Sequence, residues 1–187
     1  MFSGADVNAS SPLIGSPLHV ACADNIPNRV AILKILLENG ADLNRTIVSE
    51  DGISLKPVLG EYISSNEEVE RKVVRLFLQY GSRVIFKSQF RDPAGILNYL
   101  SNVSRDEELM SELLESAESF DPPMIRRCNA LSAQQKEVAL SLSRNPKSLK
   151  HQVRLFLRNL FGRKLPHVVD QLGLPRVLQS YIQFESS

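Results

Sequence analysis

The sequence predicts an all-α chain, a short helical solenoid followed by a C-terminal module of three short helices. Three observations carry this prediction. First, Gly4-Ala-Asp-Val-Asn8 returns as Gly40-Ala-Asp-Leu-Asn44. Weaker echoes follow at Gly81-Ser-Arg-Val-Ile85 and Ala117-Glu-Ser-Phe-Asp121, at intervals of 36, 41 and 36 residues. Second, a helix-like run precedes each of the last three echoes (30–39, 67–80 and 107–116). In these runs Leu36-Leu37-Glu38, Phe77-Leu78-Gln79 and Leu113-Leu114-Glu115 occupy equivalent places. A period of this size over helical units marks a solenoid, whose units bury their apolar faces only against one another. Third, residues 148–182 read as an amphipathic helix, a glycine stop and two proline-opened pieces.

Ser16-Pro17-Leu18-His19-Val20-Ala21 opens the first helix pair, with proline in the first turn, where its missing N–H costs little. Ser65-Asn-Glu-Glu68, Ser104-Arg-Asp-Glu107 and Ser132-Ala-Gln-Gln135 each follow the S-x-x-E/Q pattern of a capping box, which predicts helix starts there. Val69, Val73, Leu76, Phe77 and Tyr80 form one apolar stripe at helical spacing. Residues 122–143 fit either a degraded helix pair or a spacer. Beyond them, Leu149, Val153, Leu157 and Leu160 recur at i, i+4, i+8 and i+11. Gly162 is expected as a left-handed C-cap, and Pro166 and Pro175 as first-turn prolines. Lys150, Arg154 and Arg158 line a basic stripe beside the apolar one, read as a solvated face, an acidic partner's groove or a contact for an anionic membrane surface. Three short helices cannot bury their own apolar faces, so the stripe calls for a docking partner.

Composition narrows the function. A chain of 187 residues with 43% hydrophobic and 23% charged residues is ordinary for a soluble globular protein. A net charge of +1 argues for neither nucleic acid nor a membrane, although the C-terminal stretch is locally basic. No apolar run approaches the roughly 18 residues needed to span a bilayer, and the start lacks a secretory signal pattern. A reducing compartment, cytoplasm or nucleus, is therefore expected. Cys22 and Cys128 form no C-x-x-C pair, which argues against a disulfide framework or zinc, and His19 with Cys22 makes too few ligands. Cys128, flanked by Arg126 and Arg127, is the one candidate nucleophile, with no histidine near it in sequence. No phosphate-binding, metalloprotease or nucleophile-elbow motif occurs. No catalytic residue, cofactor or metal is assigned.

Ser16-Pro17-Leu18-His19-Val20-Ala21 resembles the T-P-L-H-x-A signature of ankyrin repeats, and Leu36 to Asn44 resembles their second-helix ending. The first full repeat covers about residues 11–44. The second, about 45–85, carries an insertion and has Asp51-Gly52-Ile-Ser-Leu55 in place of the signature. The third, about 86–121, keeps Pro93 to Leu97 and Leu113-Leu114. The resemblance implies that His19 fixes its turn through the Ser16 hydroxyl. Gly4–Asn8 looks like the tail of a repeat without its helices, which predicts a fragment or short isoform, exposed on one side and fraying fastest across residues 1–45.

The C-terminal segment resembles a SOCS box. Ser148, Leu149, Val153 and Leu157 stand at the positions of the family's elongin-binding motif, with valine replacing its usual cysteine. Leu172, Gly173, Leu174 and Pro175 stand at its cullin signal, with Gly173 replacing a proline. Together the resemblances imply ankyrin repeats over 1–121, a degenerate pair or spacer over 122–146 and a SOCS box over 147–187. The implied function is a non-catalytic substrate-recognition adaptor of an elongin B/C–cullin-5-type ubiquitin ligase. The rival is an ankyrin scaffold or inhibitor that binds a protein without ligase coupling. The inserted segment predicts substrate rim contacts at Arg45, Glu50 and Asp51. Gly173→Pro is expected to strengthen cullin binding if the local φ suits proline.

Overall fold

The computed structural model describes residues 4–145 and 147–184, so residues 1–3, 146 and 185–187 of the expected domains lie outside the described residues. Four helix pairs stack in sequence order. The pairs are α1 (Pro17–Ala21) with α2 (Arg29–Glu38), and α3 (Val58–Ser65) with α4 (Arg71–Gln79). A 3-10 helix (Leu97–Asn102) then pairs with α5 (Glu107–Ser116), and α6 (Pro122–Arg127) with α7 (Ala133–Arg144). The stretch after residue 121 is thus a fourth helix pair. α1 packs on α2 and α3, α3 on the 3-10 helix, and α2 on α4. One core runs the length of the stack through Leu33, Tyr62, Phe77, Leu100, Leu113 and Ile125, all fully buried.

The repeated motif has a mechanical reason. The Asn8 side chain donates to the Gly40 carbonyl (3.0 Å) and accepts from the Asp42 N–H (2.8 Å). Asn44 does the same one repeat on, donating to the Gly81 carbonyl (2.9 Å) and accepting from the Arg83 N–H (2.9 Å). Each motif asparagine therefore satisfies main-chain groups of the next turn that no helix supplies. The two weaker echoes lead into extended segments: β1 (Ile85–Phe86) and β2 (Ser119–Phe120) pair in parallel, with the Phe86 and Phe120 rings stacked at 5.6 Å. Ion pairs Arg71–Asp106, Arg75–Glu112 and Arg83–Glu118 tie repeat two to repeat three.

Two of the three expected capping boxes are corrected. Ser65 ends α3 and α4 starts only at Arg71, so no helix begins for Ser65 to cap. At α5 the N-cap is Asp106, whose carboxylate accepts from the Leu109 N–H (3.0 Å), in place of Ser104. The Ser132–Gln135 box forms in full.

The C-terminal module consists of α8 (Leu149–Phe161), a 3-10 turn (Gly162–Lys164), α9 (Leu165–Val168) running into a second 3-10 turn (Val169–Leu172), and α10 (Arg176–Gln183). It has a small core of its own, Leu165, Val169 and Ile182, ringed by Leu157, Phe161, Leu174 and Tyr181. Gly162 has φ 49° and ψ −127°, so it is not the left-handed helical cap expected, though its positive φ still favours glycine. Its backbone lies against Gly81, where an added Cβ would stand 3.0 Å from the Gly162 carbonyl carbon. α10 also packs on α4, and the Tyr80 and His167 rings meet edge-on at 6.2 Å. The module therefore lies alongside the repeats.

Candidate functional site

α8 is started by Ser148, whose hydroxyl accepts from the His151 N–H (3.3 Å). Successive residues turn about 100° in a helix, so Leu149, Val153, Phe156 and Leu160 fall within an arc of about 60°. All four point outward, with exposures of 76%, 44%, 62% and 60%. This row is an uncovered apolar strip, flanked by exposed Lys150, Gln152 and Asn159, on a helix whose opposite face is packed. Leu157, expected on the same strip, sits about 80° from Leu149 and packs half-buried into the module's own core. Phe156, which sequence periodicity passed over, takes its place on the outer face. Seven-residue spacing from Leu149 was the available signal.

The opposite face of α8 corrects the reading of the basic stripe. Arg154 and Arg158 are only 2% and 4% exposed. Arg154 donates to the Glu115 carbonyl (2.8 Å) and Arg158 to the Ser82 carbonyl. Before the helix, Lys147 donates to the carbonyls of Ala117 and Glu118. After it, Arg163 donates to the Gly40 carbonyl (2.8 Å). The Arg154 guanidinium also lies over the Tyr181 ring (4.2 Å) and the Phe184 ring (4.4 Å), and Lys150 over Tyr181 (3.8 Å). Burial lowers the pKa of Arg154 and of Lys147, and takes Arg158 down to about 10, with the Arg154 charge adding to the effect. At neutral pH Arg158 still carries its proton.

Leu172 and Leu174 are half-buried, Leu174 within the module core, whereas Gly173 and Pro175 are exposed. Gly173 has φ 63° and ψ 21°, a left-handed conformation closed to proline. The expectation that Gly173→Pro would strengthen cullin binding is therefore overturned. Val177, 72% exposed just beyond Pro175, extends this end of the module with apolar surface.

The inserted segment folds into a small hairpin bridged between Val48 and Ser54, and Glu50 and Asp51 are exposed at its tip. Arg45 stands at its foot, donating to the Asn8 carbonyl (2.6 Å), so the structure does not bring the three together. Loop tips of successive repeats expose large apolar side chains that the sequence reading missed: Leu13, Ile53 and Phe90, the last 98% exposed. Loops lack the periodicity that flags such residues.

His19 plays the turn role. Its Nδ1 accepts from the Ser16 N–H (3.2 Å) and pairs with the Ser16 hydroxyl (2.8 Å), while its Nε2 reaches the Lys56 carbonyl (3.0 Å). Only the Nε2-protonated neutral ring satisfies all of these, and burial lowers its pKa accordingly. Burial pushes the Cys22 thiol well above the thiolate range. Cys128 is half-buried, with its thiol donating to the Leu97 carbonyl (3.8 Å).

Stacked helix pairs carrying a three-helix module with an open apolar strip define an ankyrin-repeat solenoid joined to a SOCS box. Residues 16–47 match the ankyrin repeat family and residues 145–183 the SOCS box family. Over 181 residues, 97% of its length, the chain is 24% identical to Ankyrin repeat and SOCS box protein 5 of Bos taurus. It is 23% identical to the proteins of that name from Oryctolagus cuniculus and Mus musculus, over 181 and 182 residues. The matched region is 42% of each relative, so the chain spans about two fifths of their length.

Proposed function

We propose that this chain is a substrate-recognition adaptor of a cullin-RING ubiquitin ligase, without catalytic activity of its own and acting in the cytoplasm. The observation that carries this reading is the apolar strip of Leu149, Val153, Phe156 and Leu160, left open on the outer face of a helix whose inner face is packed. The strip takes the elongin B/C heterodimer, with Leu149 as anchor and Val153 filling the place of the usual cysteine with a side chain of similar volume. The exposed end of the module at Gly173, Pro175 and Val177 faces a cullin-5-type scaffold. The loop tips, Glu50 and Asp51 together with Ile53 and Phe90, take the protein substrate. Holding substrate and ubiquitin carrier on one scaffold raises the effective concentration of substrate lysines at the carrier.

Coexpression with elongin B and C, followed by size-exclusion chromatography, tests the reading. Coelution of all three chains as one species supports it. A folded chain that elutes apart from elongin B/C contradicts it and favours the scaffold without ligase coupling.

A further inference from the structure

A guanidinium withdrawn from water costs several kcal/mol unless its donors find partners. Arg154 and Arg158 find part of theirs in main-chain carbonyls, not carboxylates, while Arg154 Nε and Arg158 Nη1 are buried without a hydrogen-bond partner among the described residues. Apart from the Tyr181 carbonyl of α10, the carbonyls that take these cations and those of Lys147 and Arg163 lie at or just past the ends of repeat helices. Glu115 is in the last turn of α5 with Ala117 and Glu118 just past it, Ser82 lies three residues past α4, and Gly40 two residues past α2. A helix C-terminus leaves its last carbonyls unpaired and carries the negative end of the helix dipole, which favours the Arg154 cation at Glu115 in the last turn of α5; the Gly40 carbonyl, past the end of α2, accepts from Asn8 as well as from Arg163. Lengths agree as well. Thirteen residues of α8 span about 20 Å, roughly two helix-to-helix spacings of 8–10 Å. That length suits a helix whose flanks and inner face reach the ends of α5, α4 and α2 in turn. The Arg154 guanidinium lies over both the Tyr181 and the Phe184 ring and so ties α10 into the contact. Gly81 and Gly162 let the two backbones meet.

We infer that Lys147, Arg154, Arg158 and Arg163 are positioning residues. They lock α8 across the ends of three successive repeats and hold its apolar strip at one fixed orientation to the loop tips. The use of that orientation rests on the adaptor reading, but the lock is a property of the free chain. The last three echoes thereby acquire a second role: Gly40, Ser82, and Ala117 with Glu118 supply carbonyls to the C-terminal module.

Spin labels at Gln134→Cys on α7 and Asn159→Cys on α8, in a Cys128→Ser background, report the lock by pulsed electron resonance without any partner. The expected result is one narrow distance peak. The double variant Arg154→Met, Arg158→Met, folded by far-ultraviolet circular dichroism, is expected to lose that peak to a broad distribution. An unchanged narrow peak in the folded variant overturns the inference. Should the double variant fail to fold, Lys147→Met with Arg163→Met takes its place under the same two outcomes. Titration of the unlabelled wild-type chain with elongin B/C separates the two readings: absence of binding there sinks the adaptor, while the distance result still decides the lock.

Discussion

Leu149→Ala isolates the proposed anchor of the elongin surface. In the free chain the side chain is 76% exposed, so most of its apolar surface remains to be buried by a partner. Removing three carbon groups at about 0.8 kcal/mol each, scaled by that exposure, forfeits about 2 kcal/mol of transfer energy. An unfilled partner pocket adds to this, giving an expected loss of about 2–3 kcal/mol, or roughly 30- to 150-fold in Kd. Because the side chain makes little contact within its own chain, and alanine suits a first helical turn, the free protein should keep its stability to within about 0.5 kcal/mol. Isothermal titration against elongin B/C, with thermal denaturation of the free variant, reads both quantities. Unchanged affinity would refute the anchor role. A large drop in Tm would show instead that Leu149 packs within the chain.

Leu157→Ala should behave in the opposite way, lowering the stability of the free chain by about 1–2 kcal/mol in chemical denaturation, since it removes a half-buried member of the module core. Gly173→Ala should cost about 1 kcal/mol for its left-handed φ, and Gly173→Pro considerably more, both visible as a lower Tm. Gly81→Ala combines a φ of +84° with a Cβ 3.0 Å from the Gly162 backbone, and should destabilise by about 2 kcal/mol or more in the same assay. For pH, burial followed by the charges of Lys147 and Arg154 holds His151 at a pKa of about 4, below its ordinary 6.5. The unfolded chain then binds this proton more readily than the native one, so stability falls as pH drops from about 6.5 towards 4 and this contribution levels off below that. His151→Leu should flatten that part of a Tm-against-pH curve; an unaltered slope would assign it to other groups.

The parts of the fold legible in the sequence were those where one residue type does one local job. Asn8 and Asn44 recur because each satisfies the turn of the next repeat, and His19 with Ser16 closes a turn that other pairs do not close. Capping signals at Ser65 and Ser104 misled for a related reason. A serine three residues before a glutamate is common, and the competing choices, α3 continuing through Ser65 and Asp106 capping α5, depend on packing. Helical spacing grouped Arg154 and Arg158 correctly on one face. It could not tell which face looked inward, because the carbonyls that receive them belong to repeats some 40 to 80 positions away in the chain. The same limit put Leu157 on the outer strip in place of Phe156. Exposed loop-tip residues such as Phe90 lie in segments with no period at all.

Calorimetric titration of the intact chain with elongin B/C at several temperatures bears most directly on the outer face of α8. Burial of Leu149, Val153, Phe156 and Leu160 predicts saturable one-to-one binding with a clearly negative heat-capacity change, since apolar surface leaves water. A chain that is folded by circular dichroism yet gives no saturable heat at any temperature would contradict it.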